Sequence, residues 1–366
     1  MQESGIAVAP EVPAIQGAYG YRLTAVGKPL ELCELPQLVP AAGEVVVAMA
    51  GCGVCHTDIG FAYDGVPTRH ALPLVLGHEI TGIVVAAGED AAHLRGRAVI
   101  VPAVIACGEC AACLTGHPTI CRRQFMPGND GDGGFATHVK VPMRGLCVVP
   151  GQLPRGISLP MLSVVADAVT TPFEAIRRSK LAPGDVAVVV GAGGIGGFGV
   201  QIAAACGARV IAIDVDPQRL TLAASHGASL TLNPTEKDEK QLKSAVKEFF
   251  RQSAAPGSTL KIFEMSGTPA GQITAYNLLD YGAYLAVVGF TPKKIEIRLS
   301  NLMAFDATAS GNWGCPADQY PAALDMVLAG KIALEPFVEF HPLNEAPKVL
   351  EGVAKHAFQR RVVLTV

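Results

Sequence analysis

A glycine-rich turn between a strand-like run and a helix-like run constrains the fold more than any other feature. Gly191, Gly193 and Gly196 form a G-x-G-x-x-G pattern, which follows the apolar run 186–190 and precedes the helix-like run 197–206. The first glycine permits a tight turn, the second lets the backbone approach a pyrophosphate, and the third lets helix and strand pack closely. This order predicts a βαβ unit that binds a dinucleotide.

An acidic residue at the end of the next strand bears on which dinucleotide binds. Asp214 closes the strand-like run 209–214 and lies 18 residues after Gly196. A carboxylate there accepts hydrogen bonds from the adenosine ribose and repels the extra phosphate of NADP, which favours NAD. The alternative is a glycine-rich turn and a surface aspartate without a cofactor. The residues expected to bind the cofactor are Gly191, Gly193, Gly194, Ile195, Gly196, Asp214 and Arg219.

The first part of the chain differs from the part that contains this turn. Up to about residue 165, short β-like runs broken by Gly and Pro predict an irregular, mostly antiparallel β domain. Examples of these runs are 44–50, 80–86 and 98–103. From about residue 168, strand-like and helix-like runs alternate, which predicts βαβ units in a doubly wound parallel sheet. The fold class is therefore expected to be α/β.

The individual runs set the expected domain boundaries. The helix-like runs are 169–180, 197–206, 217–225 and a charged surface helix at 236–252. The strand-like runs are 186–190, 210–213, 260–263 and 283–288. The tail 338–366 returns to strand-like runs and is expected to rejoin the first domain. We therefore expect domains at 1–167 and 168–312, with 313–366 as the return.

Composition and charge exclude several classes of protein. The stretch 186–208 has no charged residue and is long enough to span a bilayer. It contains seven glycines and divides into unlike halves, so a nucleotide-binding turn is favoured over a membrane span. The N-terminus lacks a basic region followed by an apolar run, so we expect no secretory signal and a cytoplasmic location. A net charge of −3 without a long Lys/Arg block gives no sign of a nucleic-acid partner.

Four cysteines lie close together in a loop-like stretch. Cys107, Cys110, Cys113 and Cys121 have the spacing C-x2-C-x2-C-x7-C. Four thiolates suit a closed tetrahedral zinc site, which leaves no open position and is therefore structural. An iron–sulfur cluster is the other metal hypothesis. Disulfides are disfavoured by this crowding and by a reducing compartment.

A second set of metal-ligating residues is dispersed along the chain. Cys55 lies in G-V-C-H-T-D, and His78 lies in G-H-E. A catalytic zinc site needs about three protein ligands and one free position. Asp167, at the passage between the two expected domains, is the natural third ligand. Each residue alone carries little weight, because buried cysteines and histidines are common.

These elements, in this order and spacing, resemble the zinc-dependent medium-chain alcohol dehydrogenases over essentially the whole chain. The resemblance implies a GroES-like β-rich catalytic domain, an inserted Rossmann domain and a short C-terminal return. It implies that Cys55, His78 and Asp167 hold a catalytic zinc, with Asp167 where many members have Cys. It also implies NAD as cofactor, two zinc ions per chain and a homodimer or homotetramer.

The same resemblance assigns roles to the residues around the metal and the cofactor. Glu79 lies where the family has a carboxylate close to the metal, and Asp58 is expected to support His78. Thr57 matches the Ser/Thr that takes the alcohol proton into a relay. The other implied cofactor contacts are His56 and Arg361 to the pyrophosphate and the Val288 backbone to the nicotinamide carboxamide.

The chain also departs from the family pattern. Gly60 stands where members often have the histidine that ends the proton relay. The relay is therefore expected to end through the cofactor ribose and water, or through another base such as His70. Cys52 forms a C-x2-C pair with Cys55 but replaces a small residue, and we interpret it as part of the core, with a metal ligand as the alternative.

The substrate is the least constrained expectation. The segments GYRLTAVGKPL, VVADAVTTPFEAI and TASGNWGC resemble family members that oxidise cyclic hydroxyacyl-CoA thioesters in anaerobic aromatic degradation. This implies a secondary allylic alcohol as substrate and basic residues at the mouth of the cleft. The candidates, with solvated surface charge as the alternative, are Arg69, Lys293, Lys294 and Arg298. Other hypotheses are a broad secondary-alcohol or polyol dehydrogenase and a non-catalytic Rossmann-type binding protein.

Overall fold

The computed structural model describes residues 17–366. The N-terminal segment, to which the expectation about a secretory signal applies, lies outside the described residues. Among residues 17–366, no helix is long and apolar enough to cross a membrane. The charge-free stretch 186–208 forms a strand, a turn and a helix, as expected.

The described residues form 16 strands and ten α-helices. The strands are β1 (Tyr19–Leu23), β2 (Glu31–Glu34), β3 (Glu44–Gly53), β4 (Leu74–Val75), β5 (Glu79–Ala87), β6 (Ala98–Val101), β7 (His138–Pro142), β8 (Cys147–Val148), β9 (Val186–Val190), β10 (Arg209–Ile213), β11 (Ala228–Leu232), β12 (Leu260–Glu264), β13 (Tyr284–Val287), β14 (Thr308–Gly311), β15 (Val338–Pro342) and β16 (Arg361–Thr365). The helices are α1 (His56–Ala62), α2 (Ala111–Leu114), α3 (Thr170–Arg178), α4 (Gly196–Ala205), α5 (Pro217–Ser225), α6 (Glu239–Ser253), α7 (Pro269–Asn277), α8 (Ser300–Ala304), α9 (Tyr320–Leu328) and α10 (Ala346–Ala354).

A seven-stranded sheet is the larger of the two sheets in the first domain. Its order is β15-β16-β3-β5-β6-β8, and β7 pairs with β3. All its pairs are antiparallel except β15 with β16, and a separate three-stranded antiparallel sheet has the order β2-β1-β4. The expected strands at 44–50, 80–86 and 98–103 are β3, β5 and β6, which confirms the β-rich domain.

A six-stranded parallel sheet forms the second domain. Its order is β11-β10-β9-β12-β13-β14. The run 186–190 is buried throughout because alternate residues face two cores: Val186, Val188 and Val190 join one cluster, and Ala187 and Val189 join another. Burial on both faces is typical of a doubly wound sheet. The order reverses between β9 and β12, and ligands bind outside the carboxyl ends of strands at such a point.

Helix α5, which follows β10, begins at the residue that its sequence predicts. Pro217 occupies the first turn of α5, where a missing N–H costs nothing. The side chain of Asp216 accepts a hydrogen bond from the Gln218 N–H at 2.8 Å. This cap satisfies one of the free donors of the first turn. The helix therefore begins directly beside Asp214, at the carboxyl end of β10.

Several elements were not among the sequence expectations. Helices α7, α8 and α9 lie in stretches where no helix was expected. Strands β11 and β14 lie at the two edges of the parallel sheet, and both are short and only partly buried, so neither contains a continuous apolar run. The tail 338–366 is not entirely strand-like, because α10 lies between β15 and β16. Its residues Ala346, Val349 and Leu350 are buried and have helical spacing. The tail does rejoin the first domain, where β16 pairs with β3.

Candidate metal centres and cofactor site

Four potential metal ligands converge beside the junction of the two sheets. Single ligand atoms of Cys55, His78, Glu79 and Asp167 all lie within 4.8 Å of one another. Cys55 directly precedes α1, His78 precedes β5, and Asp167 follows the 3-10 segment Pro160–Ala166. Asp167 Oδ2 lies 3.7 Å from Cys55 Sγ and 3.6 Å from His78 Nε2. The chain therefore gathers the three ligands expected from the sequence, with Glu79 beside them.

The donor chemistry of this cluster fits zinc. The His78 side chain is almost fully buried, yet neither ring nitrogen makes a well-formed hydrogen bond. A buried polar group without a partner is costly, and a metal ion removes that cost for Nε2. Sulfur, imidazole nitrogen and carboxylate oxygen are the three ligand types that zinc accepts in proteins. Zinc at this cluster would be held by Cys55, His78 and Asp167.

Asp58 supports two of these ligands at once. Its Oδ2 accepts a hydrogen bond from the Cys55 N–H at 2.9 Å. Its Oδ1 accepts one from the Gly77 N–H at 3.2 Å and lies 3.3 Å from His78 Nδ1. The side chain is fully buried in this place. A carboxylate behind a metal-binding histidine fixes the orientation of its ring.

Glu79 and Arg361 form a buried pair, although the sequence suggests separate roles for them. The Arg361 Nε donates to Glu79 Oε2 at 3.2 Å, and Arg361 Nη2 contacts Glu79 Oε1. Burial raises the pKa of Glu79 to about 7, against the lowering effect of Arg361. A Cβ placed on Gly194 would lie 3.3 Å from Arg361 Nη1. Arg361 thus connects the metal cluster to the glycine-rich loop.

The four-cysteine lobe has the geometry of a tetrahedral thiolate site. The Sγ atom of Cys110 lies 3.5 Å from the Sγ atom of Cys113 and 3.7 Å from that of Cys121. The Sγ atoms of Cys107 and Cys113 are 3.9 Å apart. Zn–S bonds of about 2.3 Å place tetrahedral sulfur atoms about 3.8 Å apart. A disulfide needs about 2.05 Å, and all four cysteines are free.

The thiols of the lobe differ in acidity. The N–H of Glu109 is the main cause that lowers the pKa of Cys107 to about 6. Desolvation and the neighbouring Cys110 thiol raise the pKa of Cys113 to about 11. Four thiolates this close repel one another unless a cation compensates their charge. The donor set therefore fits a metal ion held by all four cysteines.

The glycine-rich loop has the conformation that its sequence predicts. Gly191 has φ of +90°, which other residues rarely adopt. A Cβ on Gly196 would overlap the carbonyl oxygen of Gly191, so the third glycine is required for the turn to close. The loop leads directly into the N-terminus of α4, the end of a helix that favours an anionic diphosphate.

Asp214 organises the same loop. Its Oδ2 accepts a hydrogen bond from the Ala192 N–H at 2.7 Å, and Oδ1 accepts one from the Asp216 N–H at 2.9 Å. Each carboxylate oxygen has a second lone pair, so both remain able to accept a ribose hydroxyl. The Arg219 guanidinium also lies beside this loop, since a Cβ on Gly193 would be 3.3 Å from Arg219 Nη1.

The other expected site residues lie around these two centres. Thr57 Oγ1 is 3.7 Å from Cys55 Sγ. The His56 ring stacks on His356 at 5.7 Å, and desolvation together with Arg361 lowers the pKa of His56 to about 4. The Val288 N–H donates to the Glu264 carbonyl at 2.9 Å, so only its carbonyl oxygen is available to a carboxamide.

Several residues considered from the sequence lie outside these two centres. His70 is exposed, and its Nδ1 lies 2.7 Å from the carbonyl of Ala71, with no contact to Thr57. Cys52 is fully buried and belongs to neither cysteine cluster, in agreement with a role in packing. Arg69 is already paired with Asp130 at 3.3 Å. The remaining basic candidates, all exposed, are Lys293, Lys294 and Arg298.

Sequence reasoning missed two features of the site. It gave no sign of the Glu79–Arg361 pair, because 282 residues separate the partners. It also gave no role to Thr171, whose hydroxyl contacts Asp167. The only available signal was the segment D-A-V-T-T, which places a threonine one helical turn after Asp167.

Comparisons with known proteins agree with this architecture. Residues 41–151 match the alcohol dehydrogenase GroES-like domain, and residues 194–329 match the zinc-binding dehydrogenase family. An alcohol dehydrogenase of Geobacillus stearothermophilus is 30% identical, over 93% of this chain and 97% of its own. The first family match contains Cys55, His78 and the four-cysteine lobe, whereas Asp167 lies between the two matches.

Solved structures show the same fold. The galactitol-1-phosphate dehydrogenase of Escherichia coli superposes with a TM-score of 0.85 at 25% identity, covering 95% of this chain and 100% of its own. The alcohol dehydrogenase of Aeropyrum pernix gives a TM-score of 0.84 at 27% identity, with the same coverage. The expected combination of a GroES-like domain and a Rossmann-type parallel sheet is confirmed.

Proposed function

This chain belongs to the zinc-type medium-chain alcohol dehydrogenase family, and from that premise we propose that it oxidises a secondary alcohol to a ketone with NAD as hydride acceptor. The observation that carries the proposal is the proximity of two sites. The Cys55–His78–Asp167 cluster and the glycine-rich loop are joined through the Glu79–Arg361 pair, which contacts both. Dehydrogenation needs this proximity, because the alcohol carbon must meet the nicotinamide.

The residues of the chain have separable tasks in this reaction. Zinc supplies Lewis acidity toward the substrate oxygen, and NAD accepts the hydride. Thr57 receives the alcohol proton from its place beside Cys55, while Asp58 keeps the His78 ring oriented. Gly60 offers no base, so the proton continues from Thr57 to the cofactor ribose or to water.

The four-cysteine lobe is proposed to hold a second zinc with a structural role. Its four thiolates leave no free coordination position for a substrate. Two zinc ions per chain are therefore expected. A non-catalytic nucleotide-binding protein has no use for the open site, so a single zinc in the lobe would favour that alternative. Like its family, the chain is expected to form a homodimer or homotetramer.

For the substrate, we propose 6-hydroxycyclohex-1-ene-1-carbonyl-CoA, oxidised to 6-oxocyclohex-1-ene-1-carbonyl-CoA in anaerobic aromatic degradation. The support is the resemblance of the three segments quoted above, together with exposed Lys293, Lys294 and Arg298, which are free of ion pairs within the described residues. The second candidate is a broad secondary-alcohol or polyol dehydrogenase. The likeness to galactitol-1-phosphate dehydrogenase favours it.

A substrate panel separates these candidates. NADH formation is followed with the cyclic hydroxyacyl-CoA, simple secondary alcohols, galactitol and galactitol 1-phosphate, each with NAD and with NADP. We expect kcat/KM for the CoA thioester to exceed the others by about 100-fold or more, as differences of a few kcal/mol in binding produce. A higher kcat/KM for a polyol rejects the thioester assignment and supports the second candidate.

Asp214 is expected to set the preference for NAD. In Asp214→Gly, the ratio of kcat/KM with NAD to that with NADP should fall by about 10-fold or more, because like charges placed together cost several kcal/mol. That variant also removes the carboxylate that accepts hydrogen bonds from the Ala192 and Asp216 N–H groups. Asp214→Asn removes the charge but keeps one acceptor, so it serves as the companion variant. An unchanged ratio in both variants refutes this role of Asp214.

A further inference from the structure

Asp167 poses a problem that a cysteine at the same place does not. A thiolate presents one ligand atom, whereas a carboxylate presents one or two. If both oxygens face the metal, Cys55, His78 and Asp167 together supply four donors, and the open position for a substrate is reduced. The orientation of this carboxylate therefore decides how many positions stay free.

The two oxygens of Asp167 have different partners. Oδ2 faces Cys55 Sγ at 3.7 Å and His78 Nε2 at 3.6 Å. Oδ1 accepts a hydrogen bond from the Thr171 hydroxyl, on the first turn of α3. The Thr171 N–H also donates to the Asp167 carbonyl at 2.8 Å. Main chain and side chain of Thr171 thus both hold Asp167.

Thr171 is itself fixed by its surroundings. Its side chain is buried, so water does not compete for the hydroxyl. Its carbonyl accepts a hydrogen bond from Asn312 Nδ2 at 3.3 Å, and Arg178 Nη1 lies 3.3 Å from Asn312 Oδ1. The residue before Asp167 is also held, because Tyr320 Oη donates to the Ala166 carbonyl at 2.5 Å.

We propose that Thr171 is a positioning residue that reserves Oδ1 of Asp167, so that the carboxylate presents Oδ2 alone to the metal. This inference rests on the proposed function, since it assumes that Cys55, His78 and Asp167 hold the catalytic zinc. In this proposal Thr171 acts through its contacts with Asp167. Its effect is on metal affinity and on the number of donors around the metal.

The test compares three variants. Thr171→Val removes the hydroxyl with little change in shape, and Thr171→Ser keeps it. Thr170→Val is the matched control, because Thr170 is fully buried and donates to the Ala166 carbonyl at 3.2 Å, not to Asp167. That carbonyl keeps its bond from Tyr320 in the control. Zinc affinity is measured by competition with a chelator, and the coordination number is read from the visible absorption of Co²⁺ at this site.

We expect Thr171→Val to bind zinc about 10- to 100-fold more weakly than the wild type, the usual effect of losing a partner of a metal ligand. Its Co²⁺ band should be weaker, because five-coordinate cobalt absorbs less than four-coordinate cobalt. Thr171→Ser and Thr170→Val should stay within about threefold of the wild type. The metal in the four-cysteine lobe should be retained in every variant and reports that the fold is intact.

Two results would overturn the role of Thr171 without affecting the proposed function. One is a zinc affinity and a Co²⁺ spectrum in Thr171→Val that equal those of the wild type. The other is a loss of zinc affinity in Thr170→Val as large as that in Thr171→Val. If the wild-type chain holds only the metal of the four-cysteine lobe, the proposed function fails, and this inference fails with it. The count of metal ions in the wild type therefore separates the two failures.

Discussion

Replacing Cys55 by alanine is expected to lower kcat/KM by about 1,000-fold or more. Lewis-acid stabilisation by a catalytic metal contributes several kcal/mol, and each 1.36 kcal/mol corresponds to tenfold in rate. Cys55 lies in the cluster with His78 and Asp167, so its removal leaves two of the three expected ligands. The measurement is steady-state NADH formation with the best alcohol of the panel, together with NAD affinity.

NAD affinity should change little in this variant, because the glycine-rich loop is intact. Cys52→Ala is the matched control: Cys52 is also a buried cysteine near the end of β3, but its sulfur is not among the potential ligand atoms of the cluster. We expect the control to keep most of its turnover. Full activity in Cys55→Ala would rule out the zinc mechanism.

Replacing Cys110 by serine is expected to remove one zinc and lower Tm by roughly 10 °C. Structural zinc sites contribute directly to folding free energy, and each kcal/mol shifts Tm by about 2–4 °C in domains of this size. Cys110 Sγ contacts the sulfurs of Cys113 and Cys121, so its loss opens the tetrahedral arrangement. Calorimetry and elemental analysis measure the two effects.

Cys206→Ser is the control for this experiment. Cys206 is partly buried at the end of α4 and is not among the ligands of either cluster. Its substitution should leave the zinc content unchanged and Tm within about 2 °C, as is usual away from cores and metal sites. An unchanged zinc content in Cys110→Ser would contradict the structural site.

The parts of the fold with a strong local pattern could be predicted from the sequence. The strand at 186–190 and the helix at 217–225 have the predicted bounds, because continuous apolar character and a proline in the first helical turn are local signals. The four-cysteine lobe could likewise be predicted, since its ligands lie within 15 residues of chain. Edge strands β11 and β14 were missed, because each is only four or five residues long and has no continuous apolar run.

Contacts over long sequence distances were beyond sequence reasoning from a single chain. The Glu79–Arg361 pair depends on β16 returning to lie beside β3, and no residue near Arg361 indicates that partner. The contact of Thr171 with Asp167 is local, since the two residues are four apart, but it depends on α3 beginning directly after the ligand. Resemblance to a family gave roles to Glu79 and Arg361 separately, and the structure joins them.

The zinc content of the purified protein tests the central claim most directly. Elemental analysis of the wild type and of His78→Ala separates zinc at the Cys55–His78–Asp167 cluster from zinc in the four-cysteine lobe. The account predicts two zinc ions per wild-type chain and one in His78→Ala, with the ion of the four-cysteine lobe retained. A single zinc in the wild type, or the same count in both proteins, would contradict it.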